Sequence, residues 1–288
     1  MQQRVVQVIV ISDVHLGTYG CHATELLHYL KSVDPQILII NGDFFDGWAF
    51  SKSYFPASHF AVIQYILKLI GQGKQVIYIT GNHDDFLRQY SDFNIGNLKI
   101  VDKIVLEIET KKYWIFHGDV FDRSTRGYAK YLALIGGKAY DWLILANRFL
   151  NFFAGMLGKE KYSLSKTVKK SVKKAVSYIS NFEETAIDLA IHYRYHGVIC
   201  GHIHQPQKRL AVNEHGMTEY LNAGDWVENL TALEYYNSEW HIYQHVAREK
   251  KITSLPKKEI NVVTNTEDVS IKDLNTQFLK FYLKNVSM

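Results

Sequence analysis

The chain has 288 residues, 47% of them hydrophobic, enough for a full core in one large domain or in one domain carrying an insertion. Two cysteines, Cys21 and Cys200, are too few for a disulfide framework and fit a reducing compartment. The net charge of +4 is local, because Lys159 to Lys174 holds seven lysines and one glutamate and the rest of the chain sums to −2; with no recognition-helix, zinc-finger or aromatic RNA-binding signature, nucleic acid is not an expected partner.

The first apolar run, Val5 to Ile11, reads as a strand rather than a signal peptide, since Ser12 and Asp13 end it and no small-residue cleavage site follows. It delivers Asp13 and His15, which point the same way if the backbone stays extended. Thr24 to Leu30 reads as a short helix, and Pro35 precedes a second strand, Ile37 to Ile40, that delivers Gly42-Asp43. Ser58 is a candidate cap for a helix whose apolar positions Phe60, Ile63, Leu67 and Ile70 have helical spacing. A third strand, Val76 to Thr80, delivers Gly81-Asn82-His83-Asp84. Strands alternating with helices imply α/β layering.

Leu98 to Val101, Ile104 to Ile108 and Tyr113 to Phe116 then read as antiparallel strands, the last delivering His117-Gly118-Asp119. A long helical stretch runs from Ser124 to about Ala190, after which Gly197 to Cys200 delivers Gly201-His202-Ile203-His204 and a meander of short strands follows. Cys200 lies inside an apolar run with no base beside it, so it reads as core. The expected organisation is one domain over 1–247, a helical insertion within it over 124–190, and a polar tail over 248–288 with one apolar-spaced segment suited to a loosely docked helix.

Five apolar runs thus each end in Asp, Asn or His, and strands of one core bring their ends to a common edge where ligands bind. Each motif alone also reads as an ordinary strand end; together they point to convergence. The donors Asp13, His15, Asp43, Asn82, His117, His202 and His204 mix imidazole and oxygen without thiolate, a set suited to Mn, with Fe, Co or Zn as alternatives. Seven donors exceed the need of one ion and suit two that share the Asp43 carboxylate. Paired divalent ions acidify water and clamp the attacking and leaving oxygens of an in-line displacement, so phosphoester or phosphoanhydride hydrolysis is the expected chemistry. His83 is placed to reach the phosphoryl oxygen or leaving group, with Asp84 expected to hold its imidazole.

The series Asp-x-His at 13–15, Gly-Asp-x-x-Asp at 42–46, Gly-Asn-His-Asp at 81–84, His117, and Gly-His-x-His at 201–204 resembles the calcineurin-like metallophosphoesterases. The resemblance implies a four-layer α-β-β-α sandwich of two mixed sheets. It also implies one ion held by Asp13, His15, Asp43 and His204 and another by Asp43, Asn82, His117 and His202. A narrower resemblance is to the bacterial UDP-2,3-diacylglucosamine pyrophosphatases of lipid A synthesis. It rests on residues 12–17, on His117 to Asp122, on the helical insertion and on Asn222 to Glu228. Those enzymes release UMP and a diacylated sugar phosphate. The main departure is His83, where the best-known branch of that group has Arg.

Within the insertion, Leu164, Val168, Val172, Val176 and Ile179 share one helical face, with Lys166, Lys169, Lys170, Lys173 and Lys174 over much of the rest. A basic amphipathic helix of this kind lies on anionic membrane surfaces. The expectation is therefore a lid that seats acyl chains and places a cytoplasmic protein peripherally on the inner membrane. Arg123, Arg126, Trp142, Phe149, Lys169 and Lys173 are candidate substrate contacts. The competing expectations are a soluble metal-dependent phosphodiesterase or phosphatase acting on another substrate, and a metal-binding scaffold without catalysis.

Overall fold

Apolar runs dense in Val and Ile account for the centre of the molecule, because a strand buried on both faces has no polar face to show. The computed structural model describes residues 3–48, 54–124, 179, 181–245 and 260–263, and the structural statements below concern these. Strand β1 (Arg4–Ile11) pairs in parallel with β2 (Val33–Asn41), β2 with β3 (Gln75–Ile79), and β3 with β5 (Leu98–Val101). The short β4 (Asn94–Ile95) runs antiparallel to β5, while β11 (Thr231–Tyr236) and β12 (Glu239–Gln244) add antiparallel strands beyond β1. The result is a seven-stranded mixed sheet of order β12-β11-β1-β2-β3-β5-β4.

A second sheet of six strands has the order β13-β6-β7-β8-β10-β9. It comprises β6 (Lys103–Ile108), β7 (Lys111–Phe116), β8 (Gly197–Cys200), β9 (Gln207–Asn213), β10 (Gly216–Asn222) and β13 (Ile260–Val263). Here β7 and β8 run parallel and β6 pairs antiparallel with β7. Side chains alternate along β1: Val8 and Val10 enter a core shared with Ile115, Ile199 and Leu221 of the second sheet, while Ile9 and Ile11 join Leu26 and Leu30 of α1 (Ala23–Ser32) and Val62, Ile66 and Leu69 of α2 (Ala57–Gly71). On the outer face of the second sheet lies α3, residues 181–192, with Asp188 accepting a hydrogen bond of 2.9 Å from Asn213 of β9. The layering is α-β-β-α, as the motif series implied.

Several local expectations need correction. Pro35 lies inside β2 rather than before it. Ser58 does not cap α2, whose first residue is Ala57 after Pro56 and which has no side-chain cap bond. The buried face of α2 is His59, Val62, Ile66 and Leu69, while Phe60 and Leu67 are 53% and 59% exposed. Leu98–Val101 extends the first sheet in parallel with β3, so the antiparallel region begins one strand later. The polar tail supplies an edge strand, β13, antiparallel to β6.

The chain divides into two compact units, residues 1–119 with 186–274, and residues 120–185 with 275–288. Both sheets belong to the first. In the second, Phe121 and Phe182 meet edge to face at 5.5 Å. Most of the expected insertion, including Arg126, Trp142, Phe149, Lys169 and Lys173, lies outside the described residues, as does the segment proposed for a terminal helix. The backbone of Arg123 belongs to a short 3-10 helix, Asp119–Ser124. Among the described residues, no helix is long and apolar enough to cross a membrane.

Candidate metal centre

The parallel strands β1, β2 and β3 end on one edge of the first sheet, and β7 and β8 end beside them in the second. Main-chain bonds knit the five loops together. Asp13 N donates to Gly42 O (3.1 Å), His15 N to Asp43 O (2.9 Å), Gly201 N to His117 O (2.9 Å) and Trp226 N to Asp13 O (3.1 Å). Carboxylates lock the same loops: His83 N donates to Asp43 Oδ1 (2.8 Å) and His202 N to Asp13 Oδ2 (3.0 Å). Gly81 and Gly201 are glycine for want of space, since a Cβ at either would strike the Asp43 carboxylate or the Ser12 and Asp13 side chains.

Of the seven expected donors, Asp13, His15, Asp43, His202 and His204 all sit at positive φ, between 51° and 69°. Non-glycine residues adopt that region at a cost of about 1 kcal/mol or more each, and such outliers gather where a side chain must be aimed. The predicted extended geometry of Asp13-Val14-His15 is therefore replaced by a left-handed kink at both residues. Convergence is nonetheless achieved: the donor atoms of Asp13, His15 and His204 lie within 4.8 Å of one another, as do those of Asp43, His117 and His202, and those of His15, Asp43 and His83.

These atoms are placed as ligands rather than as a self-contained polar core. His15 Nε2 and Asn82 Oδ1 are buried without a hydrogen-bond partner, and Asp13 Oδ1 and His117 Nε2 face His204 Nε2 and Asp43 Oδ2 of the same cluster, each at 3.2 Å; an unpaired polar atom in a protein interior costs about 1–3 kcal/mol. The donors of Asp13, His15 and His117 belong to the converging groups, and an N/O donor set without thiolate fits divalent Mn, Fe, Co or Zn. The far side of three of the rings is held. His15 Nδ1 lies 3.1 Å from Asp46 Oδ2, His117 Nδ1 2.9 Å from Asn41 O, and His204 Nδ1 3.6 Å from Asp225 Oδ2. Fixing one ring nitrogen in this way aims the other at a metal.

His83 is also held by Asp46, its Nδ1 lying 2.9 Å from Oδ1, and its ring packs against the Trp48 indole at 4.1 Å between centroids. The partner expected for His83 was Asp84, and this is a correction. Asp84 is fully buried, where it accepts bonds from Gly81 N (2.6 Å), Phe44 N (2.8 Å) and Tyr78 OH (2.5 Å). It fastens the Gly81–Asn82 loop to the Asp43 loop and leaves the imidazole to Asp46. Asp46 and Asp225 are the functional residues that reasoning from strand ends passed over. Both lie within quoted motifs, at the second Asp of Gly-Asp-x-x-Asp and in Asn222 to Glu228.

The charges interlock. Burial pushes the Asp13 carboxyl up, but His204 and His117 outweigh it and hold the group below the usual carboxylate range. Burial likewise raises Asp43, and His117, His15 and His83 bring it below that range. Burial pushes the His204 imidazole down while Asp13 lifts it to about 9. For His117, burial is likewise outweighed by Asp43 and Asp13, which raise it well above the ordinary value. His83 is raised because Asp46 and Asp43 outweigh its burial.

The profile of the family described as calcineurin-like phosphoesterase matches residues 6–206. The UDP-2,3-diacylglucosamine hydrolase of Aeromonas salmonicida (strain A449) is 25% identical over 229 residues, 77% of this chain and 87% of that protein. That of Histophilus somni (strain 2336) is 32% identical over 139 residues, 47% of this chain, and the match spans only 58% of the relative's length. A solved archaeal phosphodiesterase aligns over 83% of this chain and 99% of its own at 16% identity, with a TM-score of 0.39. With the family profile covering well over half of the chain, this protein belongs to the calcineurin-like phosphoesterases and is a hydrolase of phosphoric esters or anhydrides.

Proposed function

We propose that the protein hydrolyses the pyrophosphate of a UDP-linked 2,3-diacylglucosamine, giving UMP and 2,3-diacylglucosamine 1-phosphate, at the surface of the inner membrane. The observation that carries the reaction class is the pair of donor groups meeting at Asp13 and Asp43, with His83 beside them. The substrate rests on what the related hydrolases act on and on alignment over most of the Aeromonas protein.

Asp13, His15, Asp43 and His204 would hold one cation, and Asp43, Asn82, His117 and His202 the other. Divalent ions bound there supply charge that offsets the phosphoryl oxygens and acidify the attacking water. The chain's own residues do the rest. Asp46 takes the Nδ1 proton of His83 in a hydrogen bond and so leaves the Nε2 proton for a phosphoryl or leaving oxygen. Asp46 and Asp43 raise the pKa of His83, which favours the protonated ring. Water adds to phosphorus, the anhydride P–O bond breaks, and the bridging oxygen departs with the product phosphate while the water's proton passes to solvent. The basic insertion over 124–190 is proposed as the element that seats the acyl chains and engages anionic lipid. Arg123 just before it and Arg126, Trp142, Phe149, Lys169 and Lys173 within it are the candidate contacts. Manganese is the proposed metal.

His83 favours a second reading. A neutralisable imidazole where the best-known pyrophosphatases have Arg suits a phosphodiesterase of broader scope. Incubating Mn-loaded protein with UDP-2,3-diacylglucosamine and, in parallel, with bis(p-nitrophenyl) phosphate separates the two. Release of UMP at the higher kcat/KM supports the lipid substrate, whereas equal or better turnover of the simple diester overturns it.

A further inference from the structure

One cation outside the donor cluster spans the two sheets at their shared edge. Arg88 sits in the short 3-10 helix Asp85–Tyr90 that follows the Gly81–Asp84 turn. Its Nη2 donates to Asp119 Oδ2 at 2.7 Å and to Gly81 O at 3.3 Å, and its Nε donates to Thr80 Oγ1 at 3.2 Å. Asp102, which follows β5, lies 3.6 Å from the same Nε and accepts a 2.6 Å bond from Thr80 Oγ1. Gly81 immediately precedes Asn82, and Asp119 comes two residues after His117. One guanidinium thus joins the turn that carries Asn82, at the end of β3 in the first sheet, to the turn that carries His117, at the end of β7 in the second.

We propose that Arg88 is a positioning residue that sets the separation of Asn82 and His117 and so selectively supports one of the two cation positions, the one sharing Asp43, His117 and His202. The inference rests on the two-cation reading above. The chemistry uses the planar fork: while Nη2 holds the Gly81 carbonyl and the Asp119 carboxylate, Nε is fixed in the same plane on Thr80 Oγ1, and an ammonium has no second nitrogen with which to fix that direction. The other group, Asp13, His15 and His204, is braced by Ser12, Asp46 and Asp225 and makes no contact with Arg88 among those described.

The test is equilibrium titration of the metal-stripped full-length chain with Mn(II), counting ions per chain, with magnetic resonance to tell an exchange-coupled pair from an isolated ion. Wild type should take up two. In Arg88→Met and Asp119→Asn one of the two sites should lose about 10- to 100-fold in affinity, the range seen for residues that support ligands. The other site should shift by less than threefold, and the coupled signal should give way to that of a single ion. Arg88→Lys should resemble Arg88→Met. In a His204→Ala background Arg88→Met should weaken the remaining ion by the full factor, and in a His117→Ala background it should change nothing. Equal weakening of both sites, no change at either, or failure of both variants to fold would each overturn the inference in favour of a purely structural role. A wild-type chain that takes up fewer than two ions would instead sink the two-cation reading itself.

Discussion

Two buried polar clusters in the first unit make opposite use of charge. In one, Arg4 donates both guanidinium nitrogens to Glu234, Nη1 to Oε2 and Nη2 to Oε1, each at 2.9 Å, while Tyr29 OH donates to the same carboxylate at 3.1 Å. Glu234 is 2% exposed and both its oxygens are engaged. In the other, buried atoms of His15 and Asn82 lack hydrogen-bond partners, those of Asp13 and His117 meet only a ring and a carboxylate of the same donor cluster at 3.2 Å, and most of the residues bearing the expected ligands stand in the left-handed region. The first cluster spends its polarity on linking β1, β11 and α1. The second holds polarity in reserve, at a cost in stability, for something that is not protein. The contrast locates function more sharply than residue types do, since both clusters contain buried carboxylates and cations.

If the contrast is real, the same kind of substitution must fail differently in each place. His117→Ala or Asn82→Ala should take turnover to background, a larger loss than the roughly hundredfold typical when a residue behind a ligand is removed. Urea unfolding of metal-free Asn82→Ala should shift little, because an orphaned acceptor is deleted along with its contacts, whereas metal-free His117→Ala should lose stability at neutral pH, because it removes the ring that Asp43 and Asp13 hold protonated. Unchanged turnover in either variant would remove the basis for any hydrolytic reading. Glu234→Ala should do the reverse, costing about 3 kcal/mol, the low end for a buried pair because the Arg4 guanidinium it strands is only partly buried. Turnover per folded molecule should stay at the wild-type level, and denaturant midpoints read beside active-site titration would expose any loss of activity. Smaller again is His83→Ala, for which a loss of about a hundredfold in kcat with ion stoichiometry still at two is expected from general acid–base groups. A loss confined to KM would make His83 a binding residue instead.

The donor cluster was legible in the chain because each member follows an apolar run closely in sequence, so strand ends and chemistry could be read from the same few residues. The α-β-β-α layering was legible for the same reason. What escaped was set by contacts distant in sequence. Asp46 serves two rings at once, His15 thirty-one residues before it and His83 thirty-seven after, and only the folded loops show this. The face of α2 was misread because apolar residues occur all round that helix, so Phe60 and Leu67 share its spacing with Val62, Ile66 and Leu69 and no stripe is unique. The parallel pairing of β5 with β3 is likewise invisible to local alternation. Strand β13 is cut from a polar tail and sits at a sheet edge, where pairing asks less of composition.

The finest division between the clusters is their response to protons. In the metal-free site Asp13 lifts His204 to about 9, and Asp43 and Asp13 raise His117 well above its ordinary value, so both rings carry protons at neutral pH. A raised histidine contributes stability that is fully present below its ordinary 6.5 and is lost as pH climbs through about 9. The lowered Asp13 and Asp43 contribute stability present above their ordinary 3.8 and lost as pH falls further. Between those limits the empty site is held together by its own ion pairs, and a cation must displace the imidazole protons to enter. Metal uptake should therefore release protons, and Mn(II) affinity should rise about tenfold per pH unit for each proton displaced, flattening as pH passes about 9. Calorimetric titration in two buffers of different ionisation enthalpy at pH 7 measures the number released. A value of zero would mean that the rings are neutral before the ion arrives, and the carboxylates would then be the donors that set affinity. The Arg4–Glu234 cluster, with no partner to exchange, should give no such metal-linked signal.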